Sequence, residues 1–348
     1  MNAGERMDPD RARLVRTALL AASAFLVTLA ALLRFHVYGQ LAVFPPNQHL
    51  SFTLESPSAT YFDTATYKVR RGVPVTQTVA FHGDPAAGDE RTAVWTEFSS
   101  LETGDGRRVD YHERRSGFDR RTGMIRDCCD GYVDDGAEVR QSGLAFFPPP
   151  GAQPRTYPVF DTVLRRQVRL GFEGREEVAG LPVYRYSYTA GPVPAAEPPV
   201  ELPGTVLGRK TDKPVTAVRY TWITRTLWME PESGLPVRVR EERTDTLRTG
   251  DGKNSLIAFT ATLETRPDDV AALAARASGS RALMIAVRDV VPLVLLVLAP
   301  PAAVAAWLPR RRAVPPAGPE GDAAGTAAPE DGAAEVSGGA GPAADSRR

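Results

Sequence analysis

The chain is poor in the residues that build stapled or catalytic sites. It has two cysteines in 348 residues, adjacent at Cys128 and Cys129, so no disulfide framework organises it and a packed core must supply its stability. Its histidines, His36, His49, His82 and His112, form no H-E-x-x-H or other metal pair at helical spacing. The sequence contains no G-x-S-x-G, no G-x-x-x-x-G-K-[ST], and no G-x-G-x-x-G after a strand. No catalytic residue, metal or cofactor is therefore assigned, and the chain is read as a non-enzyme. Charge of one sign is also missing: Lys+Arg and Asp+Glu are both 42, which removes the electrostatic basis for a nucleic-acid partner. Lysine itself is scarce, with 4 against 38 arginines, which fits a composition rich in Ala, Gly and Pro.

What the chain does have is a pair of uncharged apolar runs, Thr17 to Leu33 and Val290 to Leu308. A spanning helix needs about 20 apolar residues, and positive flanks favour the cytoplasmic side. Arg6, Arg11, Arg13 and Arg16 precede the first run, and Arg310, Arg311 and Arg312 follow the second. The expected organisation is a cytoplasmic N-terminus (1–16), a transmembrane helix (17–33), an extracytoplasmic β-rich domain (34–289), a second transmembrane helix (290–308) and a disordered cytoplasmic tail (309–348). The protein would then be a multi-pass cell-membrane protein with both termini in the cytoplasm. A cleaved signal peptide is the alternative for the first run, although the run is longer than an ordinary signal core and no clean A-x-A site follows. Neither run contains an ionisable residue, so neither carries the mark of an ion path.

Between the runs, alternation dominates. Val73, Val75, Val79 and Phe81 fall on one face of a strand, and Tyr184, Tyr186 and Tyr188 repeat the period of two. Val218, Tyr220 and Trp222 do the same, as do Ile257, Phe259, Ala261 and Leu263. The fold class is mainly β: a large antiparallel curved sheet or half-barrel between two transmembrane helices. Gly72-Val73-Pro74, Gly180-Leu181-Pro182 and Gly234-Leu235-Pro236 read as hairpin corners, where glycine supplies the unusual φ. The proline-rich stretch from Ala190 to Gly204 reads as an extended exposed loop, and Pro267, Asp268 and Asp269 as the first turn of a helix leading into the second span.

Cys128 and Cys129 lie in Asp127-Cys-Cys-Asp130-Gly131, beside Asp134 and Asp135. A bond between neighbours about 3.8 Å apart would be an uncommon vicinal disulfide. That bond or a structural thiol pair is the leading reading, with intermolecular pairing, metal binding and redox chemistry as alternatives. The acids do not follow the calcium-loop order. Tyr184, Tyr186, Tyr188, Trp222 and Trp228 form a candidate apolar ligand face, with plain core as the alternative.

Tyr61-Phe-Asp-Thr-Ala-Thr66, Phe118-Asp-Arg-Arg-Thr-Gly123, Asp127-Cys-Cys129, Val139-Arg-Gln-Ser-Gly-Leu144 and Gly180 to Tyr186 resemble, in that order, an actinobacterial membrane family of largely unknown function catalogued as porin PorA-like. The family brings no catalytic residues. A barrel in lipid would need an apolar outer band, and Arg219, Arg238, Arg240 and Glu97 argue against one here. More weakly, Trp228 to Pro236 and Gly180 to Tyr184 are similar to hairpins of lipoprotein-carrier domains, which hold a lipid chain in a concave sheet. The functional expectations are, in order, a membrane-tethered domain binding a lipid or cell-envelope polymer on its concave aromatic face, a structural or scaffolding envelope protein, and a porin-like channel component.

Overall fold

In a computed structural model describing residues 9–134, 136 and 139–307, the chain runs helix, sheet, helix. The first helix comprises α1 (Pro9–Leu32), a π-helical turn at Leu33–Val37 and α2 (Tyr38–Leu41). The last comprises α3 (Pro267–Ile285), a π-helical turn at Ala286–Val290 and α4 (Val291–Trp307). Both are long and apolar enough to cross a membrane. α1 packs against α4, with Ala30 and Ala299 buried between them and Ser23 Oγ donating to Ala299 O at 2.9 Å. Small residues allow that close approach, while Phe25, Leu293 and Val297 point outward. The two π-turns meet, and there Arg34 pairs with Asp289 at 2.9 Å. The expected cytoplasmic tail, 309–348, and the first residues of the N-terminus lie outside the described residues.

The strands are β1 (His49–Asp63), β2 (Lys68–Gly83), β3 (Thr92–Thr103), β4 (Arg108–Asp119), β5 (Ile125–Arg126), β6 (Tyr132–Val133), β7 (Tyr157–Asp161), β8 (Arg166–Val178), β9 (Leu181–Pro194), β10 (Val200–Pro203), β11 (Pro214–Glu230), β12 (Leu235–Thr249) and β13 (Ser255–Thr265). They form one antiparallel sheet in the order β5-β4-β3-β2-β1-β13-β12-β11-β9-β8-β7, with β6 beside β4 and β10 beside β11. Because β1 pairs with β13, both helices leave the sheet from neighbouring strands.

The sheet curls strongly. Arg243 on β12 reaches Asp110 on β4 at 2.7 Å, although β3, β2, β1 and β13 lie between their strands. The open side of this half-barrel is stitched by Gly143–Ala145. Ile125 N donates to Gly143 O (2.8 Å) and Ala145 N to Gly123 O (2.9 Å) on one edge. On the other, Leu144 N donates to Pro158 O (2.7 Å) and Phe160 N to Leu144 O (3.0 Å). Closure of this kind satisfies edge groups that would otherwise invite aggregation.

The interior is filled. Phe44, Phe81, Trp95, Phe118, Phe146 and Phe147 form a chain of edge-to-face and stacked rings at one end of the core. On the outer face, α3 lays Ala274 and Ala277 on Leu181, Val183, Trp228 and Val237. The acids Asp268 and Asp269 sit in its first turn, and Asp269 Oδ2 also accepts from Thr53 N at 2.8 Å.

Two local expectations change. Gly180 and Gly234 are at hairpin turns with φ of 76° and 67°, but Gly72 (φ 68°) lies inside β2, where the register with β1 shifts between Ala59 and Tyr61. It makes a bulge rather than a corner. The stretch 190–204 is not a free loop: β9 continues to Pro194, and β10 pairs Val200–Pro203 with Ala217 to Pro214. Proline is tolerated there because these short segments sit at the sheet's margin, where one N–H is not needed.

Candidate functional site

The concave face combines apolar residues with charge. On β4, Asp110, His112 and Arg114 alternate inward, and on β12 Glu241, Arg243 and Asp245 do the same. Arg225 on β11 donates through Nη1 to Asp161 Oδ2 (2.8 Å) and through Nη2 to Glu241 Oε2 (2.6 Å). Asp161 also accepts from the Tyr188 hydroxyl and, at 2.7 Å, from Leu164 N. Burial pushes the Asp161 carboxyl up, but Arg225, Tyr188 and the Leu164 N–H outweigh it and hold the group below the usual range. Burial drives the Tyr188 hydroxyl well above its ordinary value.

A second cluster joins the sheet across its concavity. Arg243 binds Asp110 (2.7 Å) and Asp245 (2.8 Å), while His112 stands between Asp110 (3.3 Å) and Asp134 (3.2 Å). Arg165 holds Asp134 at 2.7 Å. Burial alone would lower the His112 pKa. The two carboxylates prevail and raise it to about 10, so the imidazole is a cation at neutral pH. Arg114 completes the set, bound to Glu97 at 2.6 Å and stacked 4.5 Å from the Phe146 ring.

Asp161, Tyr188, Arg225 and Glu241 of the first cluster, with His112, Arg114 and Glu97, line a cavity of about 80 Å³ together with Phe52, Val79 and Leu227. That is room for a handful of waters, far below the roughly 300–1,000 Å³ of pockets for larger ligands. Gln77 Oε1 and Glu241 Oε1 reach it without a hydrogen-bond partner, positions that suit internal water. Among the described residues, no group of three or more His, Cys, Asp or Glu could hold a metal ion.

The candidate aromatic ligand face is not one face. Tyr184, Tyr186 and Tyr188 lie opposite Met229, Leu227 and Arg225 and point into the concavity, whereas Trp228 lies opposite Arg185 and Trp222 opposite Thr244, on the outer side. Odd residues of β11 face inward here, so even-numbered tryptophans face outward, a parity that depends on inter-strand register. Tyr186 and Tyr188 are core, their hydroxyls donating to Gln153 O (2.8 Å) and Asp161. Trp228 donates to Glu176 (2.6 Å) and is covered by Arg238 and α3. Trp222 lies in a shallow depression with Tyr220 and Arg248.

Four charged residues expected on one outer band are also divided. Arg238 and Arg240 face outward, but Glu97 points inward to Arg114, and Arg219 to Asp245. Cys128 and Cys129 are bonded to each other in a turn over the outer face of β4. A Cβ on Gly117 would come within 2.6 Å of Cys128 Sγ, so the turn sits directly on this glycine. The inward charges escaped sequence reading because alternating charge ordinarily marks a solvated face. The only signal was that D-x-H-x-R and E-x-R-x-D occupy the same alternation as core residues elsewhere.

No curated protein matches the chain. The helix–sheet–helix unit nevertheless coincides with a recognised family: the model described as porin PorA matches residues 15–308, nearly all of the described structure, and the chain belongs to that porin PorA family.

Proposed function

We propose that the chain is an anchored structural protein of the cell envelope. In this reading α1 and α4 span the membrane as a pair with both termini in the cytoplasm. The curled sheet stands outside as a scaffold whose outer face engages an envelope partner, and it performs no chemistry. The observation that carries the proposal is the filled interior: a cavity of about 80 Å³, lined by apolar residues and by charges paired with one another, has no space for an acyl chain. Lipid storage in the concave face therefore loses its main support. Among the described residues, the outer face also lacks a lipid-facing apolar band, since its large exposed residues, such as Tyr67, Tyr111, Met124 and Ile257, are scattered, whereas those of α1 and α4 are clustered.

The family description favours a channel as the second reading. In this chain it would require a pore built between assembled copies rather than through the sheet. Planar-bilayer recording with the purified full chain separates the two. The scaffold reading expects no unit conductance, together with specific crosslinks from outer-face residues to an envelope component in intact membranes. Reproducible conductance steps would overturn it.

A further inference from the structure

Two tryptophans on the outer face of β11 meet different surroundings. Trp228 lies under α3 and donates its indole N–H to Glu176 at 2.6 Å. Trp222 is six residues back along the strand, about 20 Å away, and only half-buried. Among the described residues, none accepts a hydrogen bond from its indole. It lines two adjoining depressions to which α3 contributes no residue. Pro192, Tyr220 and Arg248 wall the first, of about 340 Å³. Ser58, Thr60, Thr260 and Thr262 wall the second, of about 350 Å³, and Thr244 belongs to both. Together they cross β11, β12, β13 and β1, three strand spacings or about 14 Å, which suits an elongated occupant.

The lining is dense in hydroxyls and poor in aliphatic side chains. A lipid tail or the centre of a protein interface needs contiguous apolar area, whereas here two rings stand among threonines. The Thr244 and Thr260 hydroxyls bond each other at 2.9 Å, and each oxygen keeps acceptor capacity beyond that bond. The matching ligand presents flat C–H faces to the rings and many hydroxyls to the threonines, which is the surface of a sugar chain.

Charge selects among sugars. The Arg248 guanidinium stacks 4.6 Å from the Tyr220 ring and spends Nε on Thr246 Oγ1 at 3.0 Å, so both Nη groups stay available. Among the described residues, no carboxylate lies within ion-pair distance of Arg248. Glu242, the acid of the second depression, is tied to Arg240 at 2.8 Å. The unbalanced charge of the strip is therefore the Arg248 cation.

We propose that this strip binds an acidic envelope glycan. One sugar ring stacks on Trp222, its hydroxyls meet Thr244, Thr260 and Thr262, and a carboxylate or phosphate substituent lies on Arg248. A guanidinium already held by a ring and a hydroxyl loses little freedom when it pairs with an anionic oxygen. The inference rests on the reading above that the outer face meets the envelope, and it names the chemistry of what is met there.

The test is biolayer interferometry on the full chain in nanodiscs, with polysaccharide released from actinobacterial cell walls and split by anion exchange into acidic and neutral fractions. The wild-type chain is expected to bind the acidic fraction at least tenfold more tightly. Arg248→Gln should remove that preference, and Arg248→Lys should restore part of it. Trp222→Ala should weaken binding of the acidic fraction about tenfold, the loss of one stacked ring, and Trp222→Tyr should recover part. Arg248 packs on no core residue, so its variants report on the site even where Trp222→Ala lowers stability. No binding, equal binding of the two fractions by the wild-type chain, or an unchanged preference in Arg248→Gln would overturn the proposal. Photocrosslinking from Thr246 in intact membranes keeps the two levels apart. A protein adduct without glycan binding overturns this site and leaves the scaffold standing, whereas conductance steps together with selective glycan binding overturn the scaffold and leave the site.

Discussion

The arginines inside the sheet and those on its surface are the same residue type treated in opposite ways. Inside the sheet, Arg114, Arg225 and Arg243 each meet carboxylates within 2.8 Å. Near the junction of sheet and helices, the exposed Arg121 and Arg276 donate to neutral oxygens. Desolvating an arginine is costly unless a carboxylate accompanies it, so the inner set must be paired for the sheet to form. An exposed arginine bears no such constraint and keeps its charge available to something outside the chain. Compensation thus separates charges that hold the fold from charges the fold does not need.

The largest expected effect breaks the inner set. Asp161→Ala removes the buried acceptor shared by Arg225 and Tyr188, leaves a largely covered cation with one partner fewer, and should cost about 2–4 kcal/mol in denaturant unfolding followed by tryptophan fluorescence. A loss below about 1 kcal/mol would show the inner pairs to be dispensable and erase the contrast. A pH series comes next. His112 has its pKa raised to about 10, so its contribution is complete below the ordinary histidine value near 6.5 and is lost as pH rises through about 10. The lowered pKa of Asp161 acts in the other direction, its contribution being present above the ordinary carboxylate value and lost in acid. Melting temperature should fall on both sides of a broad plateau. His112→Gln should lower the plateau and weaken the alkaline fall, and an unchanged alkaline limb would remove His112 from the inner set.

A smaller effect is expected at the β11–β12 turn. Gly234 has φ of 67°, and a Cβ there would lie 2.7 Å from Pro150 N, so Gly234→Ala should cost about 1–3 kcal/mol in the same unfolding assay. The smallest effect sharpens the comparison from the other side. Arg276→Gln should change stability by less than about 0.5 kcal/mol, since its contacts are exposed and neutral. A cost comparable to Asp161→Ala would make Arg276 a structural residue.

Much of this architecture was legible in the residues, because composition and period are local properties. The apolar runs, the alternation of Val75, Val79 and Phe81, and the helix opened by Pro267 all appear in the structure. What failed to show was relational. Which way Trp222 points relative to Tyr186 depends on how β11 meets β9, and no single strand encodes it. Arg243 meets Asp110 only because the sheet curls, which makes the inward charges of β12 indistinguishable in sequence from a solvated stripe. The Gly143–Ala145 stitch likewise uses a handful of residues whose partners lie on two distant edges.

The pairing of β1 with β13 also sets a schedule. Glu55 and Arg266, which meet beside that pairing, are 211 positions apart in the chain. At about 5–20 residues per second, the ribosome needs on the order of 10–40 s to deliver the second after the first. For that interval β1 has β2 on one flank and nothing on the other. The sheet can complete itself only moments before α4 is synthesised, so maturation of the domain is tied to arrival of its second anchor, and the unpaired flank of β1 is where a nascent chain would most need protection.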